Sequence, residues 1–199
     1  AEHYLKYFGK QTIHVPELNR EIPLSACAGI AIVPTKFPFS RAYELAESLC
    51  SNAKRQRRED KFNGSWLDFQ VLFSGTDSGL ESLRQKRFSC LSGENLLSYR
   101  PWSLTESEQS LTWQDVVKGS DELKDSWPRS ILKDFRSVLT KGPEATKSWL
   151  SANSSRGSFL PALDQAEKTG WKGSKTPYYD CLEIMENYIH LKLPGRSCE

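Results

Sequence analysis

No stretch of this 199-residue chain is apolar for long enough to cross a bilayer, so there is no transmembrane candidate. The first ten residues, AEHYLKYFGK, mix charge with aromatics and have no apolar run before a small-residue cleavage site, which excludes a signal peptide there. Cysteine is sparse and unordered. Cys27, Cys50, Cys90, Cys181 and Cys198 are odd in number and never spaced C-x-x-C, a pattern that fits a reducing, cytoplasmic compartment better than a disulfide framework. Neither they nor His3, His14 and His190 fall at zinc-ligand spacing, so no metal is expected for this chain alone. Charge of one sign is also lacking. With 27 basic and 25 acidic residues the net charge is +2, and any nucleic-acid contact must come from local clustering. The chain begins at Ala1 without a methionine, which predicts a piece of a longer polypeptide.

What is present is ordinary for a globular protein: 38% hydrophobic, 11% aromatic and 26% charged residues, over a length that can bury a core without staples. Residues 1 to 8 read as a helix stopped by Gly9, and Thr12–Val15 as a short strand. Leu24 to Val33 is nearly continuously apolar, which predicts a strand buried on both faces, with interior Gly29 marking a close approach to the backbone. Ser40 is the predicted N-cap of a following helix that places Tyr43, Ala46, Leu49, Cys50 and Ala53 on one stripe. That helix is expected to end on Ala53-Lys54 and the basic run Arg55, Gln56, Arg57, Arg58, with Asn63-Gly64 as breaker. From Ser65 to Phe73, Leu67, Phe69, Val71 and Phe73 alternate with Trp66, Asp68 and Gln70, the pattern of a half-covered strand pairing beside the first.

Gly75 to Gly79 reads as loop, and the next twenty residues as irregular. From Thr105 the period is helical, with segments around Leu111–Val117, over Pro128–Leu139, from Pro143, around Phe159–Glu167 and over Tyr178–His190, and a polar hinge at residues 151 to 158. Two units are expected: residues 1–104, an α+β layer, and residues 105–199, a small helical bundle.

Several motifs in the first unit resemble a known family. They are Ala28-Gly29-Ile30-Ala31-Ile32, the turn Lys36-Phe37-Pro38, a helix carrying Ala53-Lys54, a strand after Gly64-Ser65 and the element Arg100-Pro101-Trp102. Together they resemble the cyclase-type palm of the large subunit of type III CRISPR effector complexes, and the segment from Thr105 loosely resembles that subunit's C-terminal helical domain. The resemblance implies a ferredoxin-like palm, here partial, with an antiparallel sheet and a packed helix. It further implies cyclic oligoadenylate synthesis from ATP with Mg2+ or Mn2+ in the intact family, and partners among CRISPR effector subunits and guide RNA. The Gly-Gly-Asp-Asp hairpin that carries the family's metal ligands occurs nowhere in this chain. ATP and metal are therefore expected only if an upstream segment or partner chain supplies that hairpin. This chain alone is expected to be inactive, with no catalytic residue of its own, and the alternative is a non-catalytic assembly module. Cys27 stands where the family often has serine, which puts hydroxyl contact from that position in doubt.

The resemblance carries specific residues. Lys54 is the candidate for gripping a triphosphate, as the Ala-Lys of GGDEF cyclases does, against the plainer reading of a cation closing a helix. Arg57, one helical step beyond on nearly the same side, is the second phosphate candidate. Gly29 would let a base or ribose lie against the sheet, or would simply pack beneath the helix. Arg55 and Arg58 are candidate RNA contacts, against a solvated charged face. Asp68 is a lone strand carboxylate with no convergent partner, and is not read as a metal ligand. The six tryptophans read as buried indoles rather than stacking platforms.

Overall fold

The computed structural model describes residues 1–62, 64–73, 79–91, 96–105, 107–108, 110–153 and 159–188. The architecture is α+β. Helix α1 (Glu2–Phe8) leads to an antiparallel hairpin of β1 (Thr12–Val15) and β2 (Arg20–Pro23), turned by a short 3-10 segment whose Asn19 adopts the left-handed conformation at φ 45°. Strand β3 (Cys27–Ile32), helix α2 (Phe39–Glu59) and β4 (Trp66–Val71) then form a strand-helix-strand unit, and β5 (Trp102–Ser103) closes the sheet in the order β3-β4-β5. Between β4 and β5 lies α3 (Leu80–Phe88), and the remaining helices are α4 (Trp113–Ser126), α5 (Arg129–Leu139), α6 (Pro143–Asn153) and α7 (Tyr178–Ile184).

The expected antiparallel sheet is corrected at its main contact. β3 and β4 run parallel, Gly29 opposite Asp68, while only the two-residue β5 is antiparallel to β4. The 21-residue α2 is the reason: it carries the chain back along the sheet, so the next strand starts where the first did.

The two strands also exchange their expected environments. β4 is buried throughout, whereas β3, at the edge of the sheet, is half-buried along its length. Alternation in β4 does not separate core from water. Leu67, Phe69 and Val71 join the core shared with the helical layer, and Asp68, level with Gly29, lies under α2, where Asn52 donates to its carboxylate. The sheet is thus covered on both faces.

Helix α2 buries Leu49 and Ala53 on its inner stripe, but Tyr43 is exposed. The helix begins one residue before Ser40 and continues to Glu59, so Lys54 sits inside its last turns rather than at its end. α4 begins at a capping box in which Thr112 and Asp115 satisfy each other's backbone N–H, and it runs well beyond Val117. The segment expected as helix over Phe159–Glu167 contains only a 3-10 turn at Ala166–Lys168, because Pro161 and the left-handed Asp164 (φ 48°) and Gln165 (φ 65°) interrupt it. Residues 154–158 of the expected hinge, 75–78 of the expected loop, Asn63, His190 and Cys198 lie outside the described residues.

The boundary at 104/105 falls between β5 and α4. Buried residues from both sides, from Leu5 through Phe69 and Trp102 to Trp113, Phe135 and Ile184, form one cluster. Its polar centre is Arg100, fully buried. Its guanidinium donates to Asp180 (2.6 and 2.9 Å), to Glu183 (2.5 Å) and to the Phe69 carbonyl (2.9 Å), and lies 3.7 Å from the centre of the Phe69 ring. Asp180 also accepts from the Tyr99 and Arg100 backbone N–H groups and from the Trp102 indole. Burial alone would lower the Arg100 pKa, but the two carboxylates more than reverse this and hold it raised.

Candidate functional site

The geometry around Lys54 follows from the strand-helix-strand unit. Because α2 returns antiparallel to β3, its C-terminal turns lie over the start of that strand, beside Cys27 and Ser25. Lys54 is exposed there. Arg57 is half-buried and its Nη1 donates to the Ser25 hydroxyl at 2.8 Å, while its Nε is buried without a hydrogen-bond partner among the described residues. Burial pushes the Cys27 thiol up, and the cations of Arg57 and, more weakly, Lys54 pull it back only in part. Arg57 and Ser25 thus meet at one corner next to Cys27, and the exposed Lys54 stands three residues earlier on the same helix. Two cations and a hydroxyl suit an oxyanion, with lysine as a point charge and arginine as a planar donor. This corner faces the amino ends of β3 and β4, opposite to the carboxyl ends where open α/β sheets usually bind ligands.

Gly29 is not part of that corner. A Cβ added to it would meet the Ala46 carbonyl oxygen at 2.1 Å and the Cys50 backbone nitrogen at 2.4 Å, so the space beside the glycine is filled by α2 itself. The nucleotide reading of Gly29 gives way to packing: the bare backbone lets the helix approach.

Arg55 and Arg58 diverge from it. Arg58 is exposed, and Arg55 donates to the Asn52 side chain at 2.6 Å and lines an open polar groove between α2 and α3. Asn52 donates in turn to Asp68 at 2.7 Å, and Arg84 of α3 grips the same carboxylate through both terminal nitrogens at 2.6 and 2.9 Å. The Phe69 backbone N–H is a further donor, at 2.8 Å. With its oxygens occupied by these donors, Asp68 does not fit a catalytic metal ion. Among the described residues no group of three histidines, cysteines, aspartates or glutamates is placed to hold one.

Sequence reasoning misses Ser25, Asn52 and Arg84. Each acts through a partner distant in sequence (32 residues for Arg57 and Ser25, 16 for either donor and Asp68), and none stands in a recognisable local motif. Of the tryptophans, Trp66, Trp102, Trp113, Trp127 and Trp171 are buried. On the opposite face of the sheet, Ile30, Ile32, Phe69, Trp113 and Tyr188 border a largely apolar cavity of about 290 Å³.

No helix among the described residues is long and apolar enough to cross a membrane. A scan against protein-family models finds no match to this chain, and a search of curated proteins finds none either.

Proposed function

We propose that this chain is part of a CRISPR-type nucleotidyl cyclase palm, contributing the triphosphate grip of a site whose metal-binding Gly-Gly-Asp-Asp segment comes from upstream sequence or a partner chain. One observation carries the reading: Arg57 meets Ser25 at the start of β3, with the exposed Lys54 three residues earlier on the same helix, on a strand-helix-strand unit whose glycine strand lies directly under that helix. In the intact assembly ATP would be joined into cyclic oligoadenylate, with two metal ions supplying Lewis-acid chemistry. Within this chain the role of Lys54 and Arg57 is to bind and orient the phosphates, and Asp68 takes no part.

The test is equilibrium binding of ATP to the chain, compared with Lys54→Ala and with Lys54→Ala/Arg57→Ala. A charge-assisted contact at a partly exposed site is worth about 1.5 kcal/mol, so the single variant should bind about tenfold more weakly. Equal affinity in all three proteins sinks the reading.

A second reading, a non-catalytic assembly module of an RNA-guided ribonucleoprotein, is favoured by the commitment of Arg57 to Ser25, which leaves Lys54 as the uncommitted cation of the corner. It predicts that Lys54→Ala assembles normally with effector subunits and that ATP binding by the chain is absent from the start.

A further inference from the structure

The cysteines among the described residues are of two kinds. Cys90 and Cys181 are buried in the core, Cys90 with its Sγ against the Leu139 carbonyl. Cys27 and Cys50 are half-buried and stand on β3 and α2, the two elements that the bare Gly29 lets come into backbone contact. Side chains of a strand alternate between its faces, so Cys27 stands on the face that Gly29, two residues on, turns to α2. On that face the Cys50 backbone nitrogen is 2.4 Å from where a Gly29 Cβ would lie, and the Cys50 thiol donates to the Cys27 carbonyl oxygen at 3.5 Å. A carbonyl oxygen is about 2.4 Å from its own Cα, which puts the Cys50 sulfur within about 6 Å of the Cys27 Cα. Two thiols 23 residues apart in sequence are thus held side by side.

Thiols in such a pair can hold a soft metal ion or join to each other. The donor set does not favour the metal: no third histidine, cysteine, aspartate or glutamate among the described residues completes a site, and the charges that act on Cys27 are the cations of Arg57 and Lys54. Those cations favour the thiolate, the nucleophilic form, and so work against the burial that pushes the Cys27 thiol up. They also attract an anionic reagent. Lys54 stands exposed one helical turn beyond Cys50, where a small acidic molecule approaching the pair meets it first.

We infer that Cys27 and Cys50 are a reversible oxidation site, joined as a disulfide by exchange with an anionic low-molecular-weight disulfide of the glutathione type. One protein thiol gives up its proton and its sulfur attacks the reagent; the reagent's S–S bond breaks and the first glutathione leaves as a thiolate. The second protein thiol gives up its proton and attacks the protein sulfur of this mixed disulfide, so the Cys27–Cys50 bond forms and the second glutathione leaves. The two thiols lose two electrons, the reagent gains them, and the two glutathiones take up the two protons. In a reducing compartment the pair stays open and closes as the glutathione pool oxidises. The closed bond ties the middle of α2 to the start of β3, two residues from the Ser25 that holds Arg57. The inference does not rest on the nucleotide reading, and its test contains no ATP.

The experiment equilibrates the full chain, without air and at mildly alkaline pH, in buffers running from reduced to mostly oxidised glutathione. Each sample is quenched in acid, unfolded, alkylated and digested with trypsin for mass spectrometry. The expected product links residues 21–36 to residues 42–54, the tryptic peptides that carry Cys27 and Cys50, while Cys90 and Cys181 are recovered alkylated. Its yield should rise with the oxidised share, and excess reduced glutathione should return both thiols. Cys27→Ser, nearly isosteric, should stop the reaction at a glutathione adduct on Cys50, and Cys50→Ser at one on Cys27; the mapping on the unaltered chain needs neither variant to fold. Three results overturn the inference: no link between the two peptides at any glutathione ratio, a link from either of them to Cys198 in place of the expected one, or a bond that excess reduced glutathione does not reopen.

Discussion

A methyl group at position 29 would have to occupy the place of the Ala46 carbonyl oxygen and the Cys50 backbone nitrogen, both of them helix backbone that cannot rotate away. Gly29→Ala is therefore expected to push α2 off the sheet and to destabilise the fold by about 3 kcal/mol, at the upper end of ordinary overpacking. A drop in the urea midpoint at unchanged slope is the measurement, and a change under about 0.5 kcal/mol would contradict the packing assigned here. The sequence shows that something approaches this glycine but not what does, because a helix backbone and a nucleotide leave the same signature. Asp68 poses the opposite problem. Its isolation in a strand is legible, but its two side-chain donors are not, since Asn52 and Arg84 come from different helices. Arg84→Met leaves that buried carboxylate without its ion pair and should cost about 3 kcal/mol, again read from the denaturation midpoint.

At the scale of elements, legibility follows the strength of the period. The apolar period makes only the first turns of α4, to Val117, visible, whereas α3, LESLRQKRF, buries only Leu83 and Phe88 and spends its two arginines on Asp68, on the Val71 carbonyl and on Glu183. A helix held by such long-range polar contacts leaves no apolar stripe to detect. Strand exposure is misjudged for a related reason: Asp68 of β4 is covered by helices whose Asn52 and Arg84 reach it, so alternation there does not mean solvent. The short α1 is attached by Leu5, buried in the shared core, and by one polar side chain. Glu2 accepts from the Trp113 indole, the Tyr188 hydroxyl and Lys6. Burial would raise its pKa, but these donors outweigh burial and hold it below the ordinary 4.5. A depressed carboxyl contributes stability above its unfolded pKa and loses it as pH falls through the folded value. The stability gap between the unaltered chain and Glu2→Gln should accordingly be full near neutral pH and close in acid, below the ordinary 4.5, in urea titrations at stepped pH. A gap that is the same at every pH would remove this role.

For the molecule as a whole, the change of texture at Thr105 is visible in the sequence, while the shared core across it is not, because burial depends on which distant faces meet. Two thiols report on that sharing. Cys90 precedes the boundary and Cys181 follows it; both are buried, and burial pushes Cys90 up to about 11 and Cys181 well above its ordinary value. Neither should react with a thiolate-selective reagent in the native state at mildly alkaline pH. With rising urea both should become reactive at the same midpoint, the one seen by circular dichroism. Separate midpoints would show the two sides opening independently.

The carboxylates that neutralise Arg100 lie 80 and 83 residues further along the chain. During synthesis the ribosome therefore releases the sheet and its guanidinium long before it releases the acids that balance them. Until α7 has emerged, any nascent sheet either keeps this arginine hydrated or holds an unbalanced charge in its interior. The final closure of the amino-terminal layer thus awaits the last described helix, and a stalled chain ending before Tyr178 is left open at its centre, a natural substrate for chaperones and proteases.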